Sequence, residues 1–226
     1  TITGLAHGHH RFELRQVDAQ GNISDVRVYE WDVDLIAPGA PVIGSKPSNP
    51  SNVKRPSIAF SGEDGATFQC KVDSGSYSVC TSPWAAASDL GDGSHTFSVK
   101  QTDSVGNAGT AAATYSWNVD ATPATLASFT ARSHFSANTL APVPPSTITY
   151  SLRFSERVTG LAAADFAIGG AAAAGWIVDD TVSGSGTGPY LVTVRCPSGT
   201  TCVKGVVSLT LQTGSVLDAV SNIGPA

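Results

Sequence analysis

The sequence predicts an all-β chain built as a tandem array of small Greek-key β-sandwiches, and three observations predict it. The first is a repeat: Gly8, His10, Phe12, Asp18, Gly21 and Asn22 return as Gly93, His95, Phe97, Asp103, Gly106 and Asn107, at an offset of 85 residues. After one inserted residue, Tyr29, Trp31, Val33 and Asp34 return as Tyr115, Trp117, Val119 and Asp120. A period of that length suits one small domain and is too long for a solenoid unit. The second is period-two alternation of apolar residues over short segments, with no sustained i, i+3, i+4, i+7 pattern to mark a long helix. The third is the density of Asp, Asn, Gly and Pro turn signals between those segments.

In chain order, His10 to Val17 alternates Phe12, Leu14 and the stem of Gln16 against Glu13, Arg15 and Val17, the pattern of a half-buried strand. Asp18 to Asn22 supplies a tight turn, because Asp bonds the backbone ahead of it and Gly21 tolerates a positive φ. Val26 to Val33 returns with Tyr29, Trp31 and Val33 on one face. Residues 1–38 are therefore the closing hairpin of an incomplete domain, with an apolar face that has no partner sheet in the chain. Pro38, Gly39 and Pro41 mark a junction. Residues 39–121 form the next domain, with strands expected over 41–44, 57–61 and 67–72, another at Cys80, and the repeated hairpin last. Thr122 and Pro123 open a third domain, residues 122–226, in which Ile148, Tyr150, Leu152 and Phe154 alternate. Further strands are expected over 190–194 and 206–211, and one short helical turn within 160–168. Asp218-Ala-Val-Ser-Asn222 is a third version of the turn, after which the closing strand is expected to be missing. The first residues fall in mid-pattern, so the chain reads as a piece of something longer.

The 226 residues carry 13 Lys and Arg against 18 Asp and Glu, with 23 Gly, 13 Pro and no Met. The scattered cations give no footprint for nucleic acid or a polybasic membrane surface, and no apolar run is long enough to span a bilayer. The four cysteines fall in two close pairs, Cys70 with Cys80 and Cys196 with Cys202. Neither spacing is the C-x-x-C of metal sites, so local disulfides and an oxidising compartment are expected.

The second unit, with FQCKVDSGSYSVC, LGDGSHTFSVKQTDSVGN and YSWNVDATP, resembles the bacterial immunoglobulin-like repeats of large secreted or cell-surface proteins. The third, with YSLRFSERVTGLAAADF, GVVSLTL and DAVSN, resembles a sister group of that class. The resemblance implies immunoglobulin-like sandwiches packed against their neighbours in an extracellular or surface-anchored stalk, and no active site. Fold of this breadth does not fix function. A carbohydrate- or cell-surface-ligand-binding module is the alternative, with Tyr77, Trp84 and Trp176 as exposed aromatic candidates; a fibre subunit that self-assembles through the open hairpin is another. Trp31 and Trp117 are expected to be structural.

In such a sandwich the last hairpin turn and an early loop share one pole, where the preceding domain arrives. That would bring Asp34 towards Glu63, Asp64, Asp103 and Asn107, and Asp120 towards Glu156, Asp165 and Asp218 with Asn222. Converging carboxylates and carbonyl oxygens are what Ca²⁺ requires. The competing expectation is that Asp and Asn in such turns bond only the local backbone. His7, His9 and His10 could chelate Zn²⁺, but only His10 recurs, as His95, which favours support of the strand start. No G-x-S-x-G, no Ser beside a distinct His and Asp, and no marked acid pair points to an enzyme.

Overall fold

The computed structural model describes residues 2–131, 147–203 and 205–225. The chain is nearly all-β, assembled from several antiparallel sheets. By contacts it divides into two compact units: residues 1–49, 55–90 and 94–118 in the first, residues 50–54, 91–93 and 119–226 in the second.

The first unit begins with β1 (Gly8–Leu14) and β2 (Arg27–Val33), a two-stranded sheet in which Phe12 faces Tyr29 and His10 faces Trp31. Residues directly opposite share a face, so Phe12, Leu14, Tyr29, Trp31 and Val33 lie on one side. The other side is ionic: His9 meets Asp32 at 3.0 Å, and Arg11 meets Glu30 at 3.2 Å and Glu13. β1 ends at Leu14, short of the expected Val17, which forms an isolated bridge to Ile23. Next come β3 (Val42–Ile43), β4 (Ser57–Ile58), β5 (Phe60–Ser61), β6 (Thr67–Val72), β7 (Ser78–Cys80) and β8 (Trp84–Ala85). The unit closes with β9 (Gly93–Thr102) and β10 (Ala113–Val119), whose last residue passes to the second unit.

β9 is the centre of the four-stranded sheet β10-β9-β6-β7, while β3 pairs β5 and β4 pairs β8. β6 meets β9 from Thr67↔Thr102 to Val72↔Phe97. The segment expected as one strand over 57–61 is two, interrupted at Ala59, and each half pairs a different partner. Ile58, Phe97, Val99 and Trp117 are at most 1% exposed. Phe97 is covered by Trp84, with ring centroids 5.0 Å apart, and by Phe60 at 6.0 Å. A Cys70–Cys80 disulfide ties β6 to β7.

The second unit contains β11 (Leu126–Ala131), β12 (Thr147–Phe154), β13 (Phe166–Gly169), β14 (Ile177–Ser183), β15 (Tyr190–Arg195), β16 (Ser208–Leu211), β17 (Val216–Leu217) and β18 (Ile223–Gly224). Its main sheet runs β11-β12-β15-β14, and β13-β16 and β17-β18 form separate pairs. The expected alternation in β12 holds: Tyr150, Leu152 and Phe154 are buried together with Tyr190, Val192 and Val194. The short helical turn is a 3-10 segment, Ala163–Asp165. Cys196–Cys202 is the second disulfide. Two disulfides suit an oxidising, extracellular environment, and among the described residues no helix is long and apolar enough to cross a membrane.

Candidate functional site

The feature the chain builds repeatedly is an Asp-to-Asn turn, and its geometry follows from its residues. Asp103 Oδ1 accepts the N–H groups of Val105, Gly106 and Asn107 at 2.7–3.0 Å, and Oδ2 accepts Asn107 Nδ2 at 2.8 Å. Asp18 does the same for Gln20 and Asn22, and Asp218 for Val220 and Asn222. Position four of each turn is left-handed, with φ of 87° at Gly21, 101° at Gly106 and 70° at Ser221. Glycine takes that conformation freely, whereas Ser221 holds it against the clash of its own Cβ. Asn22 donation, then backbone donation, keeps the Asp18 carboxyl below its ordinary value. Burial opposes the charge on Asp103, but the Asn107 side chain and three backbone N–H groups outweigh it and also hold that carboxyl low.

Two of the three turns make one more bond. Asn107 Nδ2 donates to the backbone carbonyl of Asp34 at 3.2 Å within the first unit, and Asn222 Nδ2 donates to that of Asp120 at 2.9 Å within the second. In each case the carbonyl belongs to the Asp that ends the preceding copy of the hairpin text. The side-chain amide has two N–H donors, so one holds the turn together and the other holds an incoming chain. Asn22 makes the first bond and, among the described residues, not the second.

Three carboxylates gather in the second unit: Asp120, Glu156 and Asp218 have oxygens within 4.8 Å of one another. Asp120 directly follows β10, Glu156 follows β12, and Asp218 begins the third turn. Asp218 is 4% exposed. Burial, with repulsion from Asp120, Asp218 and Asp92, raises the Glu156 carboxyl above its ordinary value. Such a group can relieve its repulsion by keeping a proton or by sharing a cation, and the three side chains could supply part of the oxygen shell of a hard ion such as Ca²⁺.

The other candidate ligands go elsewhere. Asp165, expected beside Asp120, turns its Oδ2 to the Ala162 N–H at 2.7 Å, bonding the start of the 3-10 segment. Asp34 Oδ1 accepts the Ile36 N–H at 3.0 Å and meets His7 Nδ1 at 3.3 Å. Glu63 and Asp64 are exposed on a turn, and neither they, Asp34 nor Asp103 joins a three-residue group among the described residues. His9 and His10 bond Asp32 and the Ala6 carbonyl. His7, His9 and His10 join no such group either.

No family model matches the chain, and no curated protein matches it. Tyr77, Trp84 and Trp176 are each half-buried. Trp84 packs on Phe97, Trp176 packs against the core of the second unit, and Tyr77 lies under the ammonium groups of Lys100 at 4.7 Å and Lys71 at 5.2 Å. Two contacts go unannounced in the sequence. Tyr115 donates its hydroxyl to the Pro47 carbonyl at 2.8 Å, and Asp92, which stands where the first copy has His7, accepts the Ala121 N–H at 3.0 Å and the Thr122 hydroxyl. The only signal for the second was the change of residue type between copies.

Proposed function

We propose that this chain is a structural spacer from an extracellular or surface-anchored multidomain bacterial protein, built of tandem immunoglobulin-like Greek-key sandwiches that space and display a functional tip. The observation that carries the reading is the doubled use of the turn amide, Asn107 on the Asp34 carbonyl and Asn222 on the Asp120 carbonyl. A turn that folds its own hairpin and also holds the end of the previous one is a joint that duplication can copy, which suits a load-bearing array and gives an enzyme nothing. Ca²⁺ at Asp120, Glu156 and Asp218 would stiffen the second of these joints by binding only the folded chain.

Pulling the chain by its ends in optical tweezers tests the reading. A spacer should unfold in discrete steps and refold on relaxation. Reduction of Cys70–Cys80 and Cys196–Cys202, which close separations of 10 and 6 residues, should lengthen the unfolded chain by about 50 Å at roughly 3.4 Å per residue. Continuous extension without steps would contradict a mechanical role. The binding-module alternative rests on Tyr77, Trp84 and Trp176; specific retention on a glycan array, lost on Trp176→Ala without loss of folding, would favour it over the spacer.

A further inference from the structure

The hairpin β1–β2 is a repeat of β9–β10 without its cover, and the second copy displays what the cover must be. In the first unit, residues 34–49 and 55–85 surround β9–β10 through three kinds of contact. Asn107 Nδ2 bonds the Asp34 carbonyl, Tyr115 bonds the Pro47 carbonyl, and Phe97 lies beneath Phe60 and Trp84 while β6 pairs along the open edge of β9.

Each receiving group exists in the first copy, and each is empty-handed there. Asn22 Nδ2 bonds only Asp18, and the Tyr29 hydroxyl has no partner among the described residues. Phe12 is 45% exposed and Leu14 58%, where their counterparts Phe97 and Val99 are fully buried, and Tyr29 is 67% exposed where Tyr115 is half-buried. Among the described residues β1 pairs with β2 alone, which leaves its other edge unpaired. Internal order is already complete: His10 stacks on Trp31 at 5.7 Å as His95 lies on Trp117 at 5.9 Å, and Tyr29 lies by Trp31 at 5.5 Å as Tyr115 lies by Trp117 at 5.8 Å. A lone two-stranded sheet is marginal in water, and an apolar face with a free edge invites strand addition.

We infer that β1–β2 is the receiving half of a β domain, and that its occupant is a polypeptide of the same kind as residues 34–85. That occupant presents a backbone carbonyl to Asn22, a second to Tyr29, an antiparallel strand to the edge of β1, and a set of apolar side chains like Ile58, Phe60 and Trp84 to Phe12, Leu14 and Trp31. A second copy of this chain is a poor occupant, because its own residues 34–85 are already closed by β9–β10. The inference stands on the repeat and not on the spacer reading, which tweezers test separately.

The test joins a copy of residues 34–89 to Leu5 of this chain, in the spacing that joins Asp89 to Leu90, and follows amide hydrogen exchange across β1 and β2. Occupancy predicts slowing of those amides by about 100-fold or more relative to the chain alone. Phe12→Asp in the extended chain should abolish the slowing and leave β9–β10 protected. Unchanged exchange in β1–β2, whether or not the added strands become protected, overturns the inference. Slowing that already appears in the unextended chain and grows with its concentration, with a dimer in sedimentation, assigns the face to a second copy and overturns it equally.

Discussion

The two hairpins, β1–β2 and β9–β10, are nearly the same text in different surroundings. Both turns are tied by an Asp and an Asn, both place a glycine in the left-handed region, and both set a His, a Trp and a Tyr along one face. Yet Trp117 and Val119 are buried where Trp31 and Val33 are half-buried, and Phe97 and Val99 are fully buried where Phe12 is 45% exposed and Leu14 58%. Local residues therefore suffice to shape the hairpin, and burial is added from outside by residues 34–85. The pair separates what turn chemistry contributes from what packing contributes, within one molecule.

Truncating the tryptophans should separate the copies most. Trp117→Ala should cost about 3–5 kcal/mol of stability, as for buried aromatics generally, whereas Trp31→Ala, at a half-buried position against His10 and Tyr29, should cost about 1–2 kcal/mol. Denaturant titration of each variant measures both, and equal losses would mean that the first hairpin is covered after all. Replacing Cys70 and Cys80 with Ser removes a cross-link from the cover, worth about 2–3 kcal/mol for so short a loop in the chain-entropy model. Exchange in β9–β10 should speed up, and exchange in β1–β2 should not respond. A smaller asymmetry is expected at the turns: Asn107→Ala loses the bond to the Asp34 carbonyl and should cost about 1 kcal/mol more than Asn22→Ala.

Acid affects the two copies alike, because both carboxyls are held low. Asp18 and Asp103 have folded values below the ordinary 3.8, so their contribution is present above that pH and is lost as pH falls through the lowered values. Thermal stability should fall below about pH 4, less so in Asp103→Asn. Glu156 runs the other way. Its raised carboxyl favours the protonated folded state, so it destabilises at neutral pH and the penalty lifts as pH falls. Without divalent cations, Glu156→Gln should raise the melting temperature, by less than about 1 kcal/mol in stability. Ca²⁺ should stabilise the parent chain and not the variant, and an unchanged melting curve with and without Ca²⁺ removes the ion from the account.

The strands with clean alternation were legible: β6 spans the expected 67–72, and β12 and β15 lie where Ile148 to Phe154 and Tyr190 to Val194 place them. β3 lies inside the expected 41–44, but the two-residue strands β8 and β17 were not legible, since a period of two cannot show itself in two residues. β11 and β14 escaped because Ala, Ser and Asp interrupt their apolar faces. The repeat itself brought Asp120 and Asp218 into view, and Glu156 with them, although about a hundred residues separate the first from the last. Asp165 lies close to Glu156 in sequence but was claimed by a local task, bonding the Ala162 N–H. Trp84 and Trp176 sit in turn-rich text with no alternating neighbours to show which way they point, and their packing against Phe97 and the second core could only come from the fold.

Hydrogen exchange on the unaltered chain, resolved by residue, tests the central claim most directly. The same hairpin text with and without a cover predicts slow amides through β9 and β10 and amides in β1 and β2 that exchange faster by about 100-fold or more. Equal protection of the two copies would contradict it.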